Sequence, residues 1–170
     1  TAQTHDLMRP DAAGRPTASV VRKTIERLRE AGVSVNVLCV VNGEVAKRPS
    51  EVFDALAPYE YIQFIPCLDG LDGQTRDYSL SGEAYLTFLK ETFDRYHLAY
   101  TEGRPVSIRN FDNWIAMLMG MPPENCAMVG RCGLSLVIES DGSVYPCDFY
   151  ALDAWKLGSI SDDSLRRMLT

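Results

Sequence analysis

The apolar positions along this chain change period several times. From Thr17, a plausible N-cap, Val21, Ile25 and Leu28 recur at helical spacing, and Ala31-Gly32 supplies a C-terminal stop. Residues 1–16, rich in Pro, Gly and Asp, read as a loop before that helix. Val33 to Val41 alternates at first and then becomes continuously apolar, the pattern of a strand buried on both faces. Pro49-Ser50 opens a second helix through Val52, Phe53 and Leu56, and Tyr61 to Pro66 is a second buried strand. Residues 67–80 carry turn formers and read as a loop. Ser81 then caps a longer helix with Tyr85, Phe88, Leu89, Phe93 and Tyr96 at helical spacing. Helix, strand, helix, strand, helix is the order of parallel βα units, which gives an α/β fold class.

After a boundary over 97–106, the pattern changes. Ser107 to Gly120 reads as one helix, with Ile108, Phe111, Ile115, Leu118 and Met119 largely on one side, and Met121-Pro-Pro breaks it. Leu134-Ser-Leu-Val-Ile-Glu-Ser and Ser143-Val-Tyr flank Asp141-Gly142, a strong hairpin signal because both central turn positions favour positive φ. A last helix is expected from about Asp162. Domain boundaries follow as 1–100 and 101–170.

Composition narrows the class. At 170 residues and 46% hydrophobic content the chain can bury a core, and a net charge of −6 without a basic cluster argues against nucleic-acid or acidic-membrane partners. Five cysteines, an odd number, with no signal peptide or transmembrane run, fit a reducing, cytoplasmic setting better than a secreted scaffold. The opening without Met and the close inside an apparent helix lead us to expect an internal piece of a longer protein.

The chemistry concentrates late. Five residues separate Cys126 from Cys132 and fourteen separate Cys132 from Cys147. The turn at Asp141-Gly142 folds Cys147 back toward Cys132, and three converging thiolates suit a soft-ligand metal centre. The spacing lacks the close Cys pairs of common zinc sites, which favours an iron–sulfur cluster; three buried or disulfide-bonded thiols remain the alternative. Asp148 is either a functional carboxylate or a turn residue.

Cys132, nine residues, Gly142, four residues, Cys147 resembles the opening of the SPASM domain of radical S-adenosylmethionine (SAM) enzymes. With Cys126 before it, Asp148 after it, Gln63-Phe-Ile-Pro66 and His5-Asp-Leu-Met-Arg9-Pro, the chain is similar to the anaerobic sulfatase-maturating enzymes. The resemblance implies the C-terminal part of a partial (β/α) radical SAM barrel, followed by the start of a SPASM auxiliary-cluster region with a β-hairpin. It implies oxidation of a sulfatase Cys or Ser to formylglycine, SAM and [4Fe–4S] clusters as cofactors, an unfolded sulfatase or other peptide as substrate, and ferredoxin or flavodoxin as electron donor. Cys126, Cys132 and Cys147 would ligate an auxiliary cluster whose fourth ligand is expected past Thr170. Asp148 would be the general base after the 5′-deoxyadenosyl radical has removed a β-hydrogen. Arg9, Asn42 and Gln63 are the candidate cofactor-binding residues, each with a second reading: Arg9 meets the SAM carboxylate or pairs with a local Asp, Asn42 reaches SAM's ribose or is a turn residue, and Gln63 bonds a substrate backbone or faces a helix. Cys39 and Cys67 read as inert core thiols, with Cys67 near the strand ends where barrel sites lie. The SAM-cluster CxxxCxxC motif and the later SPASM cysteines are absent from these residues. Two other readings stay open: a SPASM maturase of a ribosomally made peptide, and a non-catalytic iron–sulfur or zinc-binding domain.

Overall fold

The computed structural model describes residues 1–59, 61–70, 73–133 and 135–169. Leu134, which opens the apolar run before the hairpin, Leu71 and Asp72 of the 67–80 loop, and Thr170 lie outside the described residues. The chain divides into two compact units, Thr1–Met121 and Pro122–Thr170. The boundary therefore falls after Met121 and not after residue 100. The physical reason is that Ile108 and Phe111, placed by sequence in the second domain, are fully buried in the core of the first unit.

The first unit is built on three parallel strands: β1 (Asn36–Val41), β2 (Tyr61–Pro66) and β3 (Ser107–Ile108), in the order β1-β2-β3. Asn36 pairs with Tyr61 through to Val41 with Pro66, and Ile62 pairs with Ile108. β3 occupies what the periodicity assigned to the start of a helix. α6 begins only at Arg109 and runs to Leu118. The third strand stops after two residues because Asn110 takes over the pairing. Its side-chain amide accepts from Phe64 N at 2.9 Å and donates to Phe64 O at 3.0 Å, as the backbone of a longer strand would.

One face of β2 carries Ile62 and Phe64 into a core shared with α5 (Gly82–Thr101), α6 and α4 (Pro49–Leu56). Phe64 meets the ring of Phe88 edge-on at 5.0 Å and that of Phe111 at 6.1 Å, the geometry that ring quadrupoles favour. Tyr96 and Ser107 both donate to the Asp112 carboxylate, at 2.7 and 2.6 Å, so α5, β3 and α6 are joined by one acceptor. β1 departs from the two-sided burial its sequence suggested. Its pattern alternates, with Cys39 and Val41 toward the core and Leu38, 61% exposed, on the opposite face of the sheet.

Two short helices, α1 (Ala2–Met8) and α3 (Gly43–Ala46), escape the hydrophobic pattern. α1 replaces the expected loop at the start, nucleated by Thr1, whose hydroxyl accepts from Thr4 N in a reciprocal capping box. α2 (Ala18–Glu30) follows, and α3 is capped by Asn42. Gly43 can be only Gly, since a Cβ there would lie 2.5 Å from Ser79 O. Leu118 and Met119, read as members of the apolar face of α6, are 89% and 78% exposed at its C-terminal end.

These placements give a direct stability test. Phe111→Ala should cost about 3–5 kcal/mol in equilibrium urea unfolding, through lost transfer energy and a cavity. Leu118→Ser, a change at an exposed site, should stay within about 0.5 kcal/mol. Equal losses would contradict the assignment of α6's buried face.

Candidate functional site

The second unit carries the cysteines on short elements. α7 (Cys126–Val129) is capped by Asn125, whose side chain accepts from Ala127 N, and it ends at Gly130 with φ +74°. β4 (Val137–Ile138), β5 (Ser143–Tyr145) and β6 (Gly158–Ser159) form an antiparallel sheet in the order β4-β5-β6. The Asp141-Gly142 turn forms where expected, but only Gly142 takes a positive φ, +83°. Gly142 N donates to Glu139 O and Glu139 N to Ser143 O, so a turn over 139–142 precedes one left-handed glycine. Asp141 secures the turn by accepting from Ser143 N at 2.9 Å and Ser143 Oγ at 2.8 Å. These bonds, the backbone one first, hold its carboxyl below the ordinary range. The expected last helix is a single short turn, α8 (Leu165–Met168), and Met168 packs against Gly158.

Cys147 lies just after β5, half-buried, at the N-terminus of a 3-10 turn over Asp148–Tyr150. Its thiol is 3.2 Å from Asp148 Oδ1, which also accepts from Phe149 N at 3.2 Å. The Phe149 N–H pulls the Cys147 pKa down. The hydrogen bond to Asp148, partial burial and the negative charges of Asp148 and Cys126 together outweigh it, and the thiol titrates above its usual value. Cys126 and Cys132 are both exposed. Among the described residues no three His, Cys, Asp or Glu side chains converge closely enough to hold a metal ion, so the three thiols of the expected set are not gathered around one point. The donor chemistry nonetheless suits a thiophilic cluster: free thiols at the start of α7 and on the segments around one hairpin, with no disulfide between them.

In the first unit, a cavity of about 590 Å³ opens beside β1. His5, Arg9, Asn42, Cys67 and Tyr78 line it, together with Val21, Ile25, Leu38 and Val40. Asn42 and Cys67 directly follow β1 and β2, so they sit at the C-terminal ends of parallel strands, where ligands of such sheets collect. Arg9 is exposed at this cavity. Asn42 is buried and its Oδ1 accepts from Val45 N at 2.9 Å, so its first role is to cap α3. Gln63 does not line the cavity; its Oε1 accepts from Arg109 Nη1 at 3.2 Å. Cys39 packs beside the core, and burial pushes its thiol up to about 11.

Sequence reasoning missed Asp6, Thr17, Tyr78 and Arg109 as neighbours of these residues. Asp6 accepts from Thr17 N and Ala18 N at 2.8 and 2.7 Å, and a lone Asp eleven residues ahead of a helix carries no local signal of that role. Tyr78 enters because its carbonyl accepts from Gly43 N at 2.9 Å, a close approach for which the Asn-Gly pair was the available clue.

Comparison with known proteins agrees with this picture. Residues 126–170 match SPASM, an iron–sulfur cluster-binding domain, so the second unit is of that class from Cys126 onward. The whole chain resembles the anaerobic sulfatase-maturating enzymes. It is 37% identical over 99% of its length to the cysteine-type enzyme of Clostridium novyi (strain NT), covering 46% of that protein. It is 30% identical over 97% of its length to the serine-type enzyme of Bacteroides thetaiotaomicron, covering 44%. A solved sulfatase-maturase structure, native anSMEcpe with bound AdoMet and the Kp18Cys peptide, superposes with a TM-score of 0.92 at 37% identity, covering 99% of this chain and 48% of that one. The chain thus spans about half the length of the curated relatives it matches. Among the described residues, no helix is long and apolar enough to cross a membrane.

The raised Cys39 thiol has a pH consequence. Its folded pKa of about 11 lies above its ordinary 9.0, so the unfolded chain ionises first and stability falls as pH rises from 9 to 11. Two pK units correspond to about 3 kcal/mol. Cys39→Val should remove this component of the alkaline loss in urea unfolding measured at successive pH values. An unchanged slope would show that the thiol does not feel its burial.

Proposed function

We propose that this chain is part of a radical SAM/SPASM oxidoreductase that converts a Cys or Ser side chain of a sulfatase to formylglycine. The observation that supports it most is the likeness to a peptide-bound sulfatase maturase over 99% of the chain, combined with a SPASM match that begins at Cys126. The first unit reads as the C-terminal part of a partial (β/α) barrel. Three strands in sequential parallel order, with β1 left at the edge of the sheet and apolar side chains on its second face, support that reading.

In this reading Cys126, Cys132 and Cys147 are ligands of an auxiliary [4Fe–4S] cluster, and Arg9, Asn42 and Gln63 bind. When bound, the clusters and SAM supply the one-electron chemistry that takes a hydrogen atom from the substrate's β-carbon. Arg9 offers SAM's carboxylate a guanidinium at the cavity wall. Asn42 has its Oδ1 committed to Val45 N, which leaves its amide N–H₂ for a ribose hydroxyl. Gln63, held by Arg109, presents an amide for a bound backbone.

Asp148 is the general base. It accepts the proton of the substrate thiol or hydroxyl, and its carboxylate stands beside Cys147, one of the residues that would hold the cluster. A ferredoxin or flavodoxin supplies reducing electrons. Relatives of both the cysteine and the serine type match, with higher identity to the cysteine type.

The test is anaerobic incubation of the intact enzyme with SAM, reductant and sulfatase-derived peptides carrying Cys or Ser, with aldehyde read by hydrazide trapping. Conversion of either peptide is the expected result. SAM cleavage without aldehyde on any sulfatase peptide would move the assignment to maturation of a ribosomally made peptide, and no SAM cleavage at all to a non-catalytic iron–sulfur domain. In the active enzyme, Asp148→Asn should lower formylglycine formation by about 10²–10⁴-fold while SAM cleavage persists. Wild-type product yield from this variant would remove Asp148 from the mechanism.

A further inference from the structure

The loop from Arg9 to Pro16 is stapled internally and tied at both ends. Asp11 accepts from Ala13 N and Arg15 N at 2.9 Å each and from Arg15 Nε at 2.7 Å, and Asp11 N donates to Arg15 O at 2.9 Å. At the near end, Arg9 N donates to His5 O at 2.8 Å. At the far end, the Thr17 hydroxyl donates to Arg9 O at 2.5 Å and meets His5 Nε2 at 3.1 Å. A hydroxyl has a single proton, spent here on Arg9 O, so His5 Nε2 is the donor to Thr17.

This use of Thr17 is unusual for the residue that opens a helix. An N-cap threonine ordinarily turns its oxygen onto the backbone N–H groups of its own first turn. Thr17 makes no such bond. The carboxylate of Asp6, reaching over from α1, serves the start of α2 instead, with one oxygen accepting from both Thr17 N and Ala18 N. Capping from a distance frees the threonine hydroxyl for the loop.

We propose that Asp6 is a positioning residue of the cavity beside β1. By capping α2 it fixes Thr17, and through Thr17 it holds the Arg9 backbone and the His5 ring at the cavity wall. This rests on the reading that Arg9 meets SAM. The capping geometry also says what removing the carboxylate does: in Asp6→Ala, Thr17 can turn and cap α2 itself, so the helix survives while Arg9 is released.

The experiment is a double-mutant cycle on the intact, cluster-loaded enzyme, reading SAM affinity by anaerobic equilibrium dialysis. Arg9→Ala should weaken binding roughly tenfold to a hundredfold, the range for losing a charge-assisted hydrogen bond. Asp6→Ala should weaken it several-fold, Asp6→Asn, which keeps the accepting oxygen, should restore most of the affinity, and Asp6→Ala should add nothing in the Arg9→Ala background. A second readout needs no SAM. Amide hydrogen exchange in Asp6→Ala should quicken over 9–17 and stay unchanged along α2 beyond its first turn. Additive losses, wild-type affinity in Asp6→Ala, or loss of protection throughout α2 would each overturn the proposal, the last by reducing Asp6 to an ordinary helix cap. Wild-type affinity in Arg9→Ala would instead sink the reading that Arg9 meets SAM, and the proposal with it, while leaving the formylglycine assay free to succeed.

Discussion

The segment after Met121 has too little core to hold itself together by hydrophobic burial. Among its described residues only Ser143, Val144 and Tyr145 are buried, all on the central strand of a three-stranded sheet whose longest member has three residues. Units this small ordinarily need a disulfide or a metal. Its cysteines are free and lie at the start of α7 and on the segments around the hairpin, two of them exposed. A thiophilic cluster would supply the missing cross-links, because ligation and folding draw on the same free energy. The proposed chemistry depends on that constraint. Asp148 is placed by Cys147, and Cys147 by the strand that Asp141 and Gly142 turn back.

The first unit solves a different problem. Its sheet has an aromatic core on one face and polar devices where the regular pattern ends. Asn110 substitutes for a strand residue against Phe64, Asp112 gathers Tyr96 and Ser107, and Asn42 caps α3 while following β1 directly. Each device ends a regular element beside a cavity or a sheet end without leaving a buried polar group unpaired; among the described residues no buried side-chain nitrogen or oxygen lacks a partner. Of the candidate ligand residues, Asn42 is itself one of these devices.

Much of this was legible in the sequence where one local signal dominates. β2 matched its apolar run from Tyr61 to Pro66, α5 its Ser81 cap and aromatic spacing, and the hairpin its Asp-Gly pair. Elements held by distant partners were not legible. α1 depends on a reciprocal cap between two threonines, and β3 is only two residues long because a side chain replaces the rest of it. The face of α6 could be read from its period, but not where its burial stops, since Leu118 and Met119 keep the period and lie exposed. For the site, residue types and spacing pointed to thiolate ligation. That the three thiols are not gathered around one point among the described residues is a tertiary fact that spacing does not encode.

The central claim is that Cys126, Cys132 and Cys147 act as one ligand set. It is tested most directly by iron content in the intact, anaerobically reconstituted enzyme, variant by variant. Alanine at any of the three should remove about one cluster's worth of iron and lower the stability of the hairpin region, while alanine at Cys39 or Cys67 should leave iron unchanged. Iron that falls with Cys39 or Cys67 but holds with Cys132 would contradict the account.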